Sequence, residues 1–151
     1  MRAAGNAWIS VVVLVAGIAL LPGLLYLLGL ALVDGRPKPA DRAPSGVAAC
    51  SGEPRAGYQP MNPWRFTAQF FDKDGMKNKV PEVEREAFWI ARRHLWRQPR
   101  RGMLRWHLSS TGLAIWITRH WSTAQIADTA RKEDFCRTWS KRRVPGGQMN
   151  R

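Results

Sequence analysis

The pattern of apolar and polar positions divides the chain in two: one unbroken apolar run near the N-terminus, then segments in which apolar residues recur at helical spacing. From Ala7 to Val33 no residue is charged. At roughly 1.5 Å of rise per residue this run makes about 40 Å of helix, enough to cross a bilayer with tilt. A transmembrane helix is therefore expected over 7–33, with 1–6 as its flank. A cleaved signal peptide competes for the same residues, but its apolar region normally covers only about 7 to 15 positions. Pro22-Gly23 offers a place to kink. The backbone groups that a proline frees can be satisfied locally, so one span is expected rather than two half-spans.

Residues 34–61 are rich in Pro, Gly and Ala with scattered charge, the composition of an extended linker that would hold a domain off the bilayer. A basic helical domain follows over 62–135. Asn62-Pro63 reads as a cap followed by proline at the first helical position, with Trp64, Ala68 and Phe71 on one face and Phe66 and Phe70 beside them. Core packing is the first expectation for this short aromatic helix, and contact with the membrane interface the second. Pro81 starts another helix, with Glu82, Glu84 and Glu86 early and Arg92, Arg93 and Arg97 late, an order that complements the helix dipole. Val83, Ala87, Ile90, Ala91 and Leu95 form its apolar stripe, and Gln98-Pro99 ends it.

The next helix carries two neighbouring rows, Leu104, Leu108, Thr111 and Ile115 in one and Leu113, Ile117 and Trp121 in the other. Ser122-Thr-Ala-Gln125 has the spacing of a capping box, so a further helix starts near Thr123. After Ala127 the pattern decays; Ala130 to Arg151 is polar and basic and is expected to be frayed or disordered, with 136–151 as a basic tail. No stretch alternates with period two. The fold class is therefore all-α: one N-terminal transmembrane helix, an extended linker and a small domain of about four helices.

Charge narrows the set of partners. The chain has Lys+Arg 24 against Asp+Glu 11, a net charge of +13, and Arg2 is the one basic residue before the apolar run. A domain this basic suits lipid head groups, pyrophosphate-bearing lipids or nucleic acid. Arg92, Arg93, Arg97, Arg100, Arg101 and Arg105 cluster at a helix junction, where planar guanidinium groups could match phosphate oxygens and Trp96 and Trp106 could act as aromatic anchors. The alternative for the same residues is a solvated face with guanidinium groups stacked on exposed rings. Around the apolar run the charges are Arg2 on one side and Arg36, Lys38 and Arg42, partly offset by Asp34 and Asp41, on the other. That balance leans toward a cytoplasmic domain.

Several motifs fail on spacing. Val47-Ala48-Ala49-Cys50 looks like a lipoprotein cleavage box, but Asp34 to Gly46 separates it from the apolar run. Asp72-Lys73-Asp74-Gly75 opens like a calcium loop, yet Lys77 and Val83 stand where glycine and glutamate are needed. His94, His107 and His120 fall about 220° apart on a helix and share no face, so neither a metal nor another cofactor is expected. Ser109 and Ser110 lie near His107 without a nucleophile elbow or orienting acid; with Thr111 and Gly112 they read as small residues facing another helix. Two cysteines, Cys50 and Cys136, are too few for a disulfide scaffold. The two could pair if the domain faces an oxidising space, but the first expectation for Cys136, beside Phe135, is a small apolar side chain.

Leu113 to Ile126, LAIWITRHWSTAQI, resembles the third-motif region of the peptidoglycan glycosyltransferase (transglycosylase) domain of penicillin-binding proteins, glycosyltransferase family 51. There a basic segment leads into an apolar helix, an aromatic-Ser break and a further helix. Ala114-Ile115, Ile117, Arg119, Trp121-Ser122 and Ile126 occupy the matching places, and the resemblance covers roughly Phe88 to Phe135. It departs at the chemistry. The family's second catalytic-domain glutamate falls on Ser110, with Trp106 and His107 in place of its Arg-Lys. Its first glutamate, in Glu-Asp-x-x-Phe, has a match in spacing alone, Glu84 to Phe88, because Glu86 and Ala87 break the motif. The resemblance implies a periplasmic domain on a single-pass inner-membrane anchor. It also implies a degenerate relative with no catalytic residue, which binds lipid-linked cell-wall precursor without turnover.

Two other functions are open at this point. One is a docking module that presents Leu104, Leu108, Ile115, Ile117 and Trp121 to another membrane protein. The other is a membrane-tethered nucleic-acid binder, for which no motif is present.

Overall fold

The computed structural model describes residues 2–41, 57–71, 80–99 and 102–142, with the side chains of 2–7, 69–71 and 139–142 left out. Arg42, the Val47–Cys50 box, the Asp72–Gly75 turn, Arg100, Arg101 and the tail from 143 onward lie outside the described residues. The described chain is all-helical: α1 (Arg2–Ala31), α2 (Pro63–Phe71), α3 (Glu82–Trp96), α4 (Met103–His120), α5 (Thr123–Lys132) and α6 (Phe135–Arg142). No strand occurs among the described residues.

α1 is one helix through Pro22, and its stretch Trp8–Ala31 is long and apolar enough to cross a membrane. Its last turns do not stand apart from the domain. Gly29 and Gly112 bring α1 and α4 into backbone contact: a Cβ on Gly112 would lie 3.1 Å from Gly29 C, Leu30 N and Tyr26 O. Glycine is required there because no side chain fits between the two helices. No basic residue lies in the last turn of α1, so cations from elsewhere cap it. Arg36 Nη1 donates to Leu30 O at 3.2 Å and Arg105 Nη2 to Leu32 O at 2.9 Å, which places positive charge at the negative end of the helix dipole.

The described ends of the linker, 34–41 and 57–61, carry no helix or strand and are tied to the domain. Asp34 N donates to Gln98 Oε1, and Gln98 Nε2 to Asp34 O. Ala40 N donates to Thr129 Oγ1 at 2.9 Å, and Met61 N to Thr118 Oγ1 at 3.2 Å. Each of these threonines also donates to a carbonyl of its own helix, so both hydroxyls act as donor and acceptor.

The core follows the helical stripes. Val83, Ala87, Ile90, Ala91 and Leu95 of α3 cluster with Leu113, Ala114, Ile115 and Ile117 of α4, with Trp121 just past its end, and with Ile126 and Ala130 of α5. Asn62 caps α2 by accepting from Trp64 N at 2.9 Å. The capping box of α5 is formed in both directions between Ser122 and Gln125. Past Lys132 the structure differs from the expected fraying. The chain turns through Asp134, whose φ is 61°, a conformation that a short polar side chain tolerates, and α6 begins. Phe135 is buried edge-on to Trp89, with ring centroids 5.9 Å apart, and Trp89 Nε1 donates to Glu133 O. That long-range anchorage orders a segment whose own sequence is too polar to form a stable helix.

Candidate functional site

The junction of α3 and α4 carries two concavities that share a wall. The first, about 440 Å³, is lined by Leu32 at the end of α1, by Trp96 and Gln98, and by Met103, Arg105 and Trp106. The second, about 390 Å³, is lined by Glu84, Phe88, Trp89, Arg92, Arg93 and again Trp96 and Trp106. Trp96 and Trp106, the two tryptophans singled out in the sequence, line both cavities.

The arginine cluster is divided among different tasks. Arg92 stacks on Phe88 and Trp106, with its guanidinium carbon 5.8 and 5.5 Å from the ring centroids. No carboxylate pairs with it among the described residues. Arg93 stacks on Trp89 and Trp96 and lies 3.6 Å from Glu133. Arg97 donates to both Glu133 oxygens, at 2.9 and 2.7 Å, so one acid partly offsets two arginines. Arg105 is spent on the α1 carbonyl. Of the four described arginines of the expected cluster, Arg92, Arg93, Arg97 and Arg105, Arg92 therefore carries the donors least offset by protein acid.

Glu84, which matched the family motif in spacing alone, is another acid at these cavities. It lines the second cavity, and burial raises its pKa above the ordinary 4.5, with nearby Arg65 pulling the other way. Burial, followed by the Glu84 carboxylate, pushes the Tyr58 hydroxyl well above its usual range.

The expected docking face is mostly used within the chain. Ile115, Ile117 and Trp121 are buried in the core and Leu108 is half-buried, while Leu104 is exposed. Both rows of α4 find partners inside the protein, one against α1 and α2 and the other in the core, because two other helices flank α4. Cys136 is also not the free apolar side chain expected: it is disulfide-bonded, and Cys50 lies outside the described residues.

The histidines are separate. His107 lies edge-on to Trp106, and His120 stacks on Trp116 at 4.7 Å while its Nδ1 contacts Trp116 O. No metal-binding group of His, Cys, Asp and Glu occurs among the described residues. Ser110 is buried, and its hydroxyl donates to His107 O at 3.0 Å. Comparison with protein-family models, curated proteins and solved structures finds no match to this chain.

Proposed function

We propose that this is a membrane-anchored binding protein whose α3–α4 junction takes the phosphate or pyrophosphate head of an anionic or lipid-linked cell-wall precursor, without turnover. The observation that carries the reading is the position of Arg92 against Trp106. A guanidinium with no carboxylate partner among the described residues borders a cavity whose shared wall also borders Leu32, where the apolar helix ends. A lipid head group is found at that level when its chain lies beside the helix. The positive end of α4 adds to the attraction, since Gly102 supplies no capping side chain and the first turn holds no acid. Ser110, where the family resemblance would place a glutamate, offers no base, which supports binding without catalysis. The disulfide at Cys136 supports a domain on the oxidising side of a bacterial inner membrane, against the weak lean of the flanking charges.

The test uses the full chain in detergent micelles, with a short-chain polyprenyl pyrophosphate and the corresponding alcohol as probes. The wild type is expected to bind the pyrophosphate more tightly than the alcohol. Arg92→Glu should lose about tenfold or more, the scale of one charge-assisted hydrogen bond to an anion. Equal affinity for both probes, or no effect of the substitution, would refute the assignment.

A further inference from the structure

α2 meets α1 much lower than the end of the apolar span. Trp64 Nε1 donates to Ala19 O at 2.6 Å, and its indole lies over Gly23, where an added Cβ would come within 3.2 Å of two ring carbons. The glycine after Pro22 leaves the notch that this ring fills. On α4, Leu104 lines the same groove as Pro22, Leu25 and Pro63.

The position of that contact can be counted along the helix. From Trp8, where the candidate span starts, to Ala19 the rise is about 17 Å, and from Arg2 it is about 26 Å, whereas the hydrocarbon core of a bilayer is roughly 30 Å thick. The segment of α1 below Trp64 is too short to cross the bilayer by itself. Tilting the helix lengthens the path required and widens the shortfall. If α1 crosses, the indole of Trp64 lies inside the apolar layer.

The chemistry of this edge agrees with that depth. Trp64, Met103 and Leu104 are 48%, 78% and 75% exposed, a surface that water disfavours. The groove lining contains no Lys, Arg, Asp or Glu. The one donor of the Trp64 side chain is already satisfied by the Ala19 carbonyl, so placing it among acyl chains strands no polar group. Arg65, its neighbour, is directed to the polar side, where it lines a small cleft with Asn62 and Glu84.

We propose that this edge of the domain, the indole of Trp64 with Met103 and Leu104, is seated within the domain-side leaflet against lipid acyl chains. The domain is then partly embedded rather than tethered above the surface. The inference rests on α1 crossing the bilayer and is independent of the phosphate site.

Nitroxide labels on single introduced cysteines test it in the full chain reconstituted in phosphatidylcholine and phosphatidylglycerol vesicles. Leu104→Cys is compared with Val13→Cys in mid-span and Lys132→Cys on the exposed side of α5. Collisions with dissolved oxygen and with a water-soluble nickel chelate report depth. At position 104 the expected result is a loss of nickel collisions relative to 132, with oxygen collisions retained, as at 13. Nickel access at 104 equal to that at 132, with 13 in lipid, would overturn the proposal while leaving the anchor intact. Shielding of 104 from both agents, with dipolar broadening between labels, would overturn it in favour of a second copy on this face. An aqueous label at 13 would remove the spanning helix and the proposal with it.

Discussion

Replacing Gly29 by alanine separates the packing of α1 on α4 from the intrinsic preferences of a helix. A Cβ at Gly29 would lie 2.4 Å from the Leu108 carbonyl oxygen, a full ångström short of the 3.4 Å where ordinary van der Waals contact begins. The neighbour is backbone, so no rotamer change relieves the overlap and the two helices must move apart. Overpacking of this kind costs about 1–3 kcal/mol, and the rigid neighbour puts Gly29→Ala toward the upper end. Alanine recovers up to about 1 kcal/mol of helix propensity, which leaves a net loss of about 2 kcal/mol. For a domain of this size that lowers the melting temperature by about 8–16 °C. The separation should also loosen the Arg105 contact with Leu32 O, which lies on the same helix pair. Gly17 is the control, since a Cβ there meets nothing within 4 Å, and Gly17→Ala is expected to be neutral or mildly stabilising. The assay is thermal unfolding in detergent, followed by tryptophan fluorescence and circular dichroism. If Gly29→Ala melts within about 2 °C of Gly17→Ala, the helices are not in backbone contact and the account of this crossing is wrong.

Two further outcomes follow from buried groups. Ile117→Ala should destabilise by about 2–5 kcal/mol, because Ile117 is fully buried in the core; a variant of unchanged stability would mean that this row of α4 is a free surface after all. Glu84 makes stability depend on pH. Burial raises its pKa in the folded state, so over the interval between the unfolded and folded values the folded protein holds a proton that the unfolded chain has released. Its stabilising contribution is complete below the ordinary value of 4.5 and is lost as pH rises through the raised folded value. Glu84→Gln should therefore melt higher than the wild type at neutral pH, with the difference closing as the pH is lowered. A difference that does not change with pH would show that ionisation of Glu84 is not the cause.

What could be read along the chain was local. The uncharged run from Ala7 to Val33, the Asn62 cap, the Pro81 start, the Ser122–Gln125 box and the stripe from Val83 to Leu95 depend on residues within one or two turns of one another. The element types and the buried side of α3 follow from that spacing. The basic character of the domain and the nearness of Trp96 and Trp106 to the arginines were legible for the same reason. Four outcomes depended on residues distant in sequence and needed the tertiary structure. Gly29 meets Gly112, so the apolar helix joins the core instead of standing off on a linker. Both apolar rows of α4 are covered from within, except at Leu104. Among the described arginines of the cluster, Glu133 draws off Arg93 and Arg97 and the Leu32 carbonyl draws off Arg105, which leaves Arg92. Phe135 seats against Trp89 and orders α6. Periodicity records that a side chain is apolar or charged and which face of its own helix it occupies; which other group meets that face is settled only when distant segments are brought together.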